Sequence, residues 1–130
     1  QCLVGSEMCI RDSLMGIKGK KSVDSIHKEL GHIMWEYVGM GRTEEGLKTA
    51  LKLLKDIRKE FETNLFIPGS TEGVNIELEK ALRLNDFITM GELIAYDALN
   101  RNESCGGHFR EEYILQVNLL LPFRILPYFH

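Results

Sequence analysis

The chain has 130 residues, enough for one modest domain, and 44% of them are hydrophobic, which excludes wholesale disorder and supplies one core. Its net charge of −3 and pI near 5.8, with Lys and Arg scattered among acids, leave no electrostatic footprint for nucleic acid. Cys2, Cys9 and Cys105 form no CxxC pair, which argues against a zinc clip or a disulfide framework and for a reducing compartment.

In chain order, "QCLVGSEMCIRDS" (residues 1–13) has no helical or strand period and no turn signal. Its string "SEMCIRDS" looks like translated sequencing-adapter read-through, so residues 1–13 are expected to be a non-native segment outside the fold. No stretch combines the basic start and small-residue cleavage site of a secretory signal.

A first helix is expected from about Ser22 to Val38. Val23, Ile26, Leu30, Ile33, Met34, Tyr37 and Val38 recur at three- and four-residue steps and share one face. Gly39 and Gly41 can end it, and Trp35 lies off the stripe. His27 and His32 are five apart and do not share a face as paired metal ligands would.

A second helix should start at Thr43, whose hydroxyl can cap the first turn, with Glu44 and Glu45 placed favourably for the helix dipole. Leu47, Ala50, Leu51, Leu54, Ile57 and Phe61 form its stripe. Its lysines read as a solvated face rather than a basic binding patch.

"FIPGSTEGVN" is a loop by its Pro68-Gly69 and Gly73. The third helix then runs from about Asn75 to Asn100. From Asn85 to Asn100 its only charges are Asp86, Glu92 and Asp97, and apolar residues spread around most of the circumference. A helix of that kind is buried on more than one side, which points to a larger neighbour.

The strap "NRNESCGGHFREE" (residues 100–112) follows. Cys105 and His108 could form a thiol–base pair, but they stand three residues apart across two glycines, whereas the fold normally joins such partners. Ser104 with His108 lacks the GxSxG turn of a hydrolase. A phosphate loop needs glycines leading into a helix, and Gly106-Gly107 follow a helix end. The residues fit an anchoring strap, with Arg101, Glu103, Ser104, His108 and Arg110 as hydrogen-bonding groups. No catalytic, cofactor-binding or metal residues are assigned.

The tail "ILQVNLLLPFRILPYFH" has one charged side chain, Arg124. A membrane span needs about 20 apolar residues, and Pro122 and Pro127 interrupt this run. Residues 113–130 are read as a frameshifted or unrelated tail.

"ALNRNESCGGHFREE" (98–112) resembles the stretch that closes the C-terminal helical domain of succinate dehydrogenase and fumarate reductase flavoprotein subunits. Many members carry Arg-x-Glu-Ser-Arg-Gly-x-His-x-Arg there. Arg101, Glu103, Ser104, Gly106, His108 and Arg110 match it, and Cys105 replaces the usual arginine, as in the menaquinone-linked branch of Bacteroidetes-type bacteria. The similarity extends upstream through "HKELGHIMWEYVGM" and covers about residues 15 to 112.

This resemblance implies an all-α three-helix bundle (residues 14–112) followed by an extended polar strap, as a fragment of a larger FAD-dependent subunit. The parent would interconvert succinate and fumarate at FAD. It would contact an iron–sulfur subunit and a membrane anchor, peripheral on the cytoplasmic side of the inner membrane. The substrate and flavin groups lie in preceding domains, and no GxGxxG fingerprint is present here. The fragment is expected to bind no FAD, to be inactive alone, and to brace the FAD-binding domain.

Two alternatives stand beside it. One is the helical domain of an L-aspartate oxidase or adenylylsulfate reductase flavoprotein. The other is a free-standing helical interaction module. A module should cover its third helix, whereas a fragment should expose an apolar patch centred on Phe87, Met90, Ile94 and Leu99.

Overall fold

Three apolar stripes, each opened by a polar cap, build the bundle. A computed structural model of the protein describes residues 2–70 and 73–116. The bundle helices are α2 (Val23–Val38), α3 (Glu44–Asn64) and α4 (Ile76–Asn100), preceded by α1 (Cys2–Gly16). Ser22 Oγ accepts from Ser25 N–H at 3.3 Å, Thr43 Oγ1 from Gly46 N–H at 3.1 Å, and Asn75 Oδ1 from Leu78 N–H at 3.1 Å. Each bond satisfies one of the free donors of a first helical turn.

The stripes face inward as their periods require. Val23, Ile26, Leu30, Ile33 and Val38 of α2 meet Leu47, Ala50, Leu54, Ile57 and Phe61 of α3 in one core, with Met34, Tyr37 and Leu51 half-buried at its edge. Trp35 points away and is 82% exposed. The helices run up, down and up. Lys80 pairs with Asp24 where α4 and α2 both begin, and Arg58 of α3 pairs with Glu92 midway along α4.

The buried seam of α4 alternates the large Leu78, Leu84 and Ile88 with the small Ala81, Gly91, Ala95 and Ala98, and the small residues let the helix approach closely. A Cβ at Gly91 would sit 3.1 Å from Met34 Sδ and 3.6 Å from both Leu30 and Leu54. The outward side stays in water. Phe87, Met90, Leu93, Ile94 and Tyr96 are 41–61% exposed. Leu99, expected in that patch, is instead half-buried against the core, one turn beyond Ala95 on the packed side.

Residues 1–13 differ from the expectation, because most of them form α1 although they carry no period. The segment has no proline and one glycine, Gly5, so helix propensity does not oppose the helix. Cys9 to Ser13 are all exposed, and Leu14 is buried.

A second unexpected feature is a parallel pair of two-residue strands, β1 (Lys21–Ser22) and β2 (Leu65–Phe66). The chain approaches it through Gly19, whose N–H donates to the Leu65 carbonyl at 3.0 Å. A Cβ there would fall 1.9 Å from the Asn64 carbonyl carbon, so only glycine fits. Lys21 then bridges Glu29 of α2 and Glu60 of α3, which raises its pKa.

Beyond α4 the strap ends in a short 3-10 helix, Glu111–Gln116. Residues 117–130, most of the segment read as an unrelated tail, lie outside the described residues. Among the described residues, no helix is long and apolar enough to cross a membrane.

Candidate functional site

Every α-helix leaves its last four carbonyls without helical donors. At the end of α4 these fall beside the strap, and the strap supplies a donor. Arg110 is 1% exposed, and its Nη1 donates to the carbonyls of Ala98 (2.9 Å) and Leu99 (3.1 Å). Its Nε donates to Glu112 Oε2 at 3.0 Å, and its guanidinium lies 5.3 Å from the Tyr113 ring centre. A cation at a helix C-terminus also suits the dipole.

Ser104 and the glycine turn aim this arginine. Cys105 and His108 exchange backbone hydrogen bonds of 2.9 and 3.1 Å across Gly106-Gly107, where Gly106 has φ +60°. A two-residue hairpin with positive φ at its first turn position favours glycine there. Ser104 Oγ accepts from Arg110 N–H (2.9 Å) and donates to the Arg110 carbonyl (3.0 Å), which fixes that backbone from both sides.

The strap also reaches the other two helices. Arg42 N–H donates to the Phe109 carbonyl, and Glu111 N–H donates to the Arg42 carbonyl, a parallel bridge. The Arg42 Nε donates at 3.2 Å to the carbonyls of Val38 and Gly39, closing the end of α2. Its Nη1 lies 2.8 Å from His108 Nδ1. An arginine can only donate, so Nδ1 accepts, and the ring takes the Nε2–H form with Nε2 facing the Arg101 carbonyl at 3.4 Å. Glu112 Oε1 accepts from Glu44 N–H at 2.6 Å, capping the start of α3.

Three helix ends therefore close on one strap. Of the residues expected to anchor it, Ser104, His108 and Arg110 are buried and bonded within this chain. Arg101 and Glu103 stay at the surface and pair with each other at 2.7 Å. Cys105 is exposed, and its bonds to His108 are backbone ones. The sequence reading missed Arg42 and Glu112. A signal existed for Arg42: a cation next to a helix N-terminus opposes the dipole and needs another partner.

Glu112 carries the pH dependence. Its carboxyl is held below its ordinary value near 4.5, chiefly by the Glu44 N–H and then by its own backbone N–H and Arg110. A depressed carboxylate stabilises the fold above the unfolded pKa, and the contribution is lost as pH falls through the folded value. Wild type should thus exceed Glu112→Gln in urea midpoint at neutral pH, with the margin shrinking below about pH 4.5. A margin unchanged down to about pH 2 would remove the charge from the explanation.

A concavity of about 460 Å³ lies between α2 and α3, where Lys28, Glu29, His32, Asp56 and Glu60 surround Ile33, Leu53 and Ile57. The two-residue strand pair offers no strand–turn–helix cradle for a pyrophosphate. Among the described residues, no three His, Cys, Asp or Glu side chains gather as a metal site.

The family described as "Fumarate reductase flavoprotein C-term" matches residues 27–117, which take in most of α2, both later helices and the strap. An uncharacterized FAD-dependent oxidoreductase of Methanocaldococcus jannaschii is 31% identical over 104 residues, 80% of this chain and 18% of that protein. The chloroplastic L-aspartate oxidase 2-b of Nicotiana tabacum is 36% identical over 88 residues, 68% of this chain and 13% of that protein. Fumarate reductase flavoprotein subunits stand among the curated relatives too. Among solved structures, Mycobacterium smegmatis Sdh1 in complex with UQ1 superposes with a TM-score of 0.73 at 27% identity, covering 85% of this chain and 18% of that one. The chain thus spans less than a fifth of the length of these relatives.

Proposed function

The chain belongs to the family of fumarate reductase flavoprotein C-terminal domains, and from that membership we propose that it is the helical domain closing the flavoprotein subunit of a succinate dehydrogenase or fumarate reductase. The parent interconverts succinate and fumarate by hydride transfer at FAD. Electrons pass to an iron–sulfur subunit and, through a membrane anchor, to quinone, with the flavoprotein peripheral on the cytoplasmic side of the inner membrane.

This piece is structural. Residues 14–112 form the domain, residues 1–13 derive from adapter sequence, and residues 113–130 are a frameshifted or unrelated tail. The strap of Arg101, Glu103, Ser104, His108 and Arg110 keeps the bundle's end closed while the domain braces the FAD-binding part. What supports this most is that one family match, residues 27–117, spans the three bundle helices together with the strap that locks them.

One observation favours a second reading in the same superfamily: the 36% identity to a plant L-aspartate oxidase. The full-length protein, recovered from its locus and purified with flavin, separates the two. We expect fumarate-dependent oxidation of a reduced viologen dye and no hydrogen peroxide from L-aspartate. Peroxide formed with L-aspartate, and no fumarate reduction, would sink the succinate–fumarate reading.

A further inference from the structure

Arg42 and His108 meet where the strap crosses the loop between α2 and α3, and their contact suits one charge state only. Arg42 Nη1 lies 2.8 Å from His108 Nδ1, and a guanidinium has protons to give but no lone pair to offer. The imidazole therefore keeps Nδ1 bare. Its residue is 5% exposed, and Nε2 faces the Arg101 carbonyl at 3.4 Å. Arg42 is not free to back away, because its Nε also donates to the Val38 and Gly39 carbonyls at 3.2 Å.

The charges around the pair leave no room for a second cation. From the loop, the group facing His108 is Arg42 itself, which has no carboxylate partner among the described residues. At the end of α4, Arg101 turns its guanidinium outward to Glu103 at 2.7 Å and Asp97 at 3.9 Å, and Arg110 sends Nη1 to the same Arg101 carbonyl at 3.4 Å. Within the strap, Glu112 is committed to the Glu44 N–H and to Arg110, and Cys105 meets His108 through backbone bonds alone. Glu111 lies over Gly41, its Oε1 2.8 Å from where a Cβ would stand. A proton arriving at Nδ1 sets two donors of like charge face to face in a part-buried site, with no acceptor between them.

We propose that this contact is a proton-operated latch: it holds the strap to the α2–α3 loop while His108 is neutral, and proton uptake at Nδ1 opens that side. What opens is the bridge beside it, in which Arg42 N–H donates to the Phe109 carbonyl at 3.2 Å and Glu111 N–H to the Arg42 carbonyl at 3.0 Å. The other side holds, since Arg110 stays bonded to the end of α4 and to Ser104 whatever the charge on His108. A closed form that excludes the proton, beside an open form that accepts it, makes opening more favourable as pH falls through the usual imidazole range, about 6.5. Glu112, held below its ordinary value, keeps its charge in that range and leaves the reading to His108. The latch stands apart from the reaction of the parent subunit.

The test is amide hydrogen exchange of the 130-residue chain, read by NMR at about pH 7.5 and about pH 5.5 and corrected for the intrinsic rate at each. Protection of the Arg42 and Glu111 amides should fall at least about five-fold between the two, while the Leu54 amide inside α3 keeps its own. A smaller fall overturns the latch. So does an equal fall at Leu54, which marks unfolding of the whole domain. His108→Asn sets an amide oxygen near the Nδ1 position and takes up no proton, so the pH dependence should vanish in that chain. A dependence that survives the substitution belongs to another group and overturns the proposal. If the asparagine chain does not fold, the imidazole nitrogen signals of the wild-type chain decide. His108 should then show a protonated Nδ1 over the range in which the two amides lose protection, and a ring that stays neutral there sinks the latch.

Discussion

Arg110→Met should lower the unfolding free energy of the domain by about 3 kcal/mol. Methionine keeps most of the buried stem and removes the guanidinium, so the loss is one of hydrogen bonds rather than volume. The carbonyls of Ala98 and Leu99 lose their donor, and Glu112 loses its partner at 3.0 Å. A buried acceptor without a donor costs about 1–3 kcal/mol, and two are affected. Arg110→Lys should recover only part of this, because a single ammonium cannot serve the helix end and Glu112 in the same fork geometry. Urea midpoints of the three proteins decide it. A methionine variant within about 0.5 kcal/mol of wild type would show that water replaces the arginine without loss.

Leu54→Ala should cost about 3 kcal/mol, through packing alone. Leu54 is fully buried, and a Cβ at Gly91 would lie 3.6 Å from its Cδ2. Removing three carbons here opens a void where α2, α3 and α4 converge. The opposing wall on α4 includes Gly91, which has no side chain to fill it. Adding Gly91→Ala should return part of the loss, since it refills space and raises helix propensity by about 1 kcal/mol. A thermal or urea unfolding series reads both steps. A loss below about 1 kcal/mol for Leu54→Ala would mean that the bundle relaxes to close the cavity.

The bundle could be read from the sequence because its signals are local. Ser22, Thr43 and Asn75 each announce a helix start within three residues, and the stripes from Val23 to Phe61 carry one period. The direction of the strap could not be read. Ser104, His108 and Arg110 have the same composition whether they face a neighbouring protein or their own helix ends. What decides is contact with residues 42–44, 66 to 68 positions away, where no short-range pattern reaches. The family resemblance located the motif without saying which way its groups point. The two-residue strands are too short to show alternation, and their marker is the backbone crossing at Gly19. α1 escaped for a different reason, since its apolar residues carry no helical period, and Cys9 to Ser13 are exposed.

The cap that Glu112 places on Glu44 has a consequence in time. The two residues are 68 positions apart, so the first turn of α3 is made long before the carboxylate that completes it. At about 5–20 residues per second of synthesis, the gap is roughly 3–14 s. Through that interval α3 holds its start with Thr43 alone, and the last carbonyls of α4 wait for Arg110. A growing chain therefore carries a collapsed but unlatched bundle, its apolar α4 strip in water, for as long as translation takes to reach residue 112. Pausing within the strap codons would prolong that state, and with it the time during which chaperones or aggregation compete for the same strip.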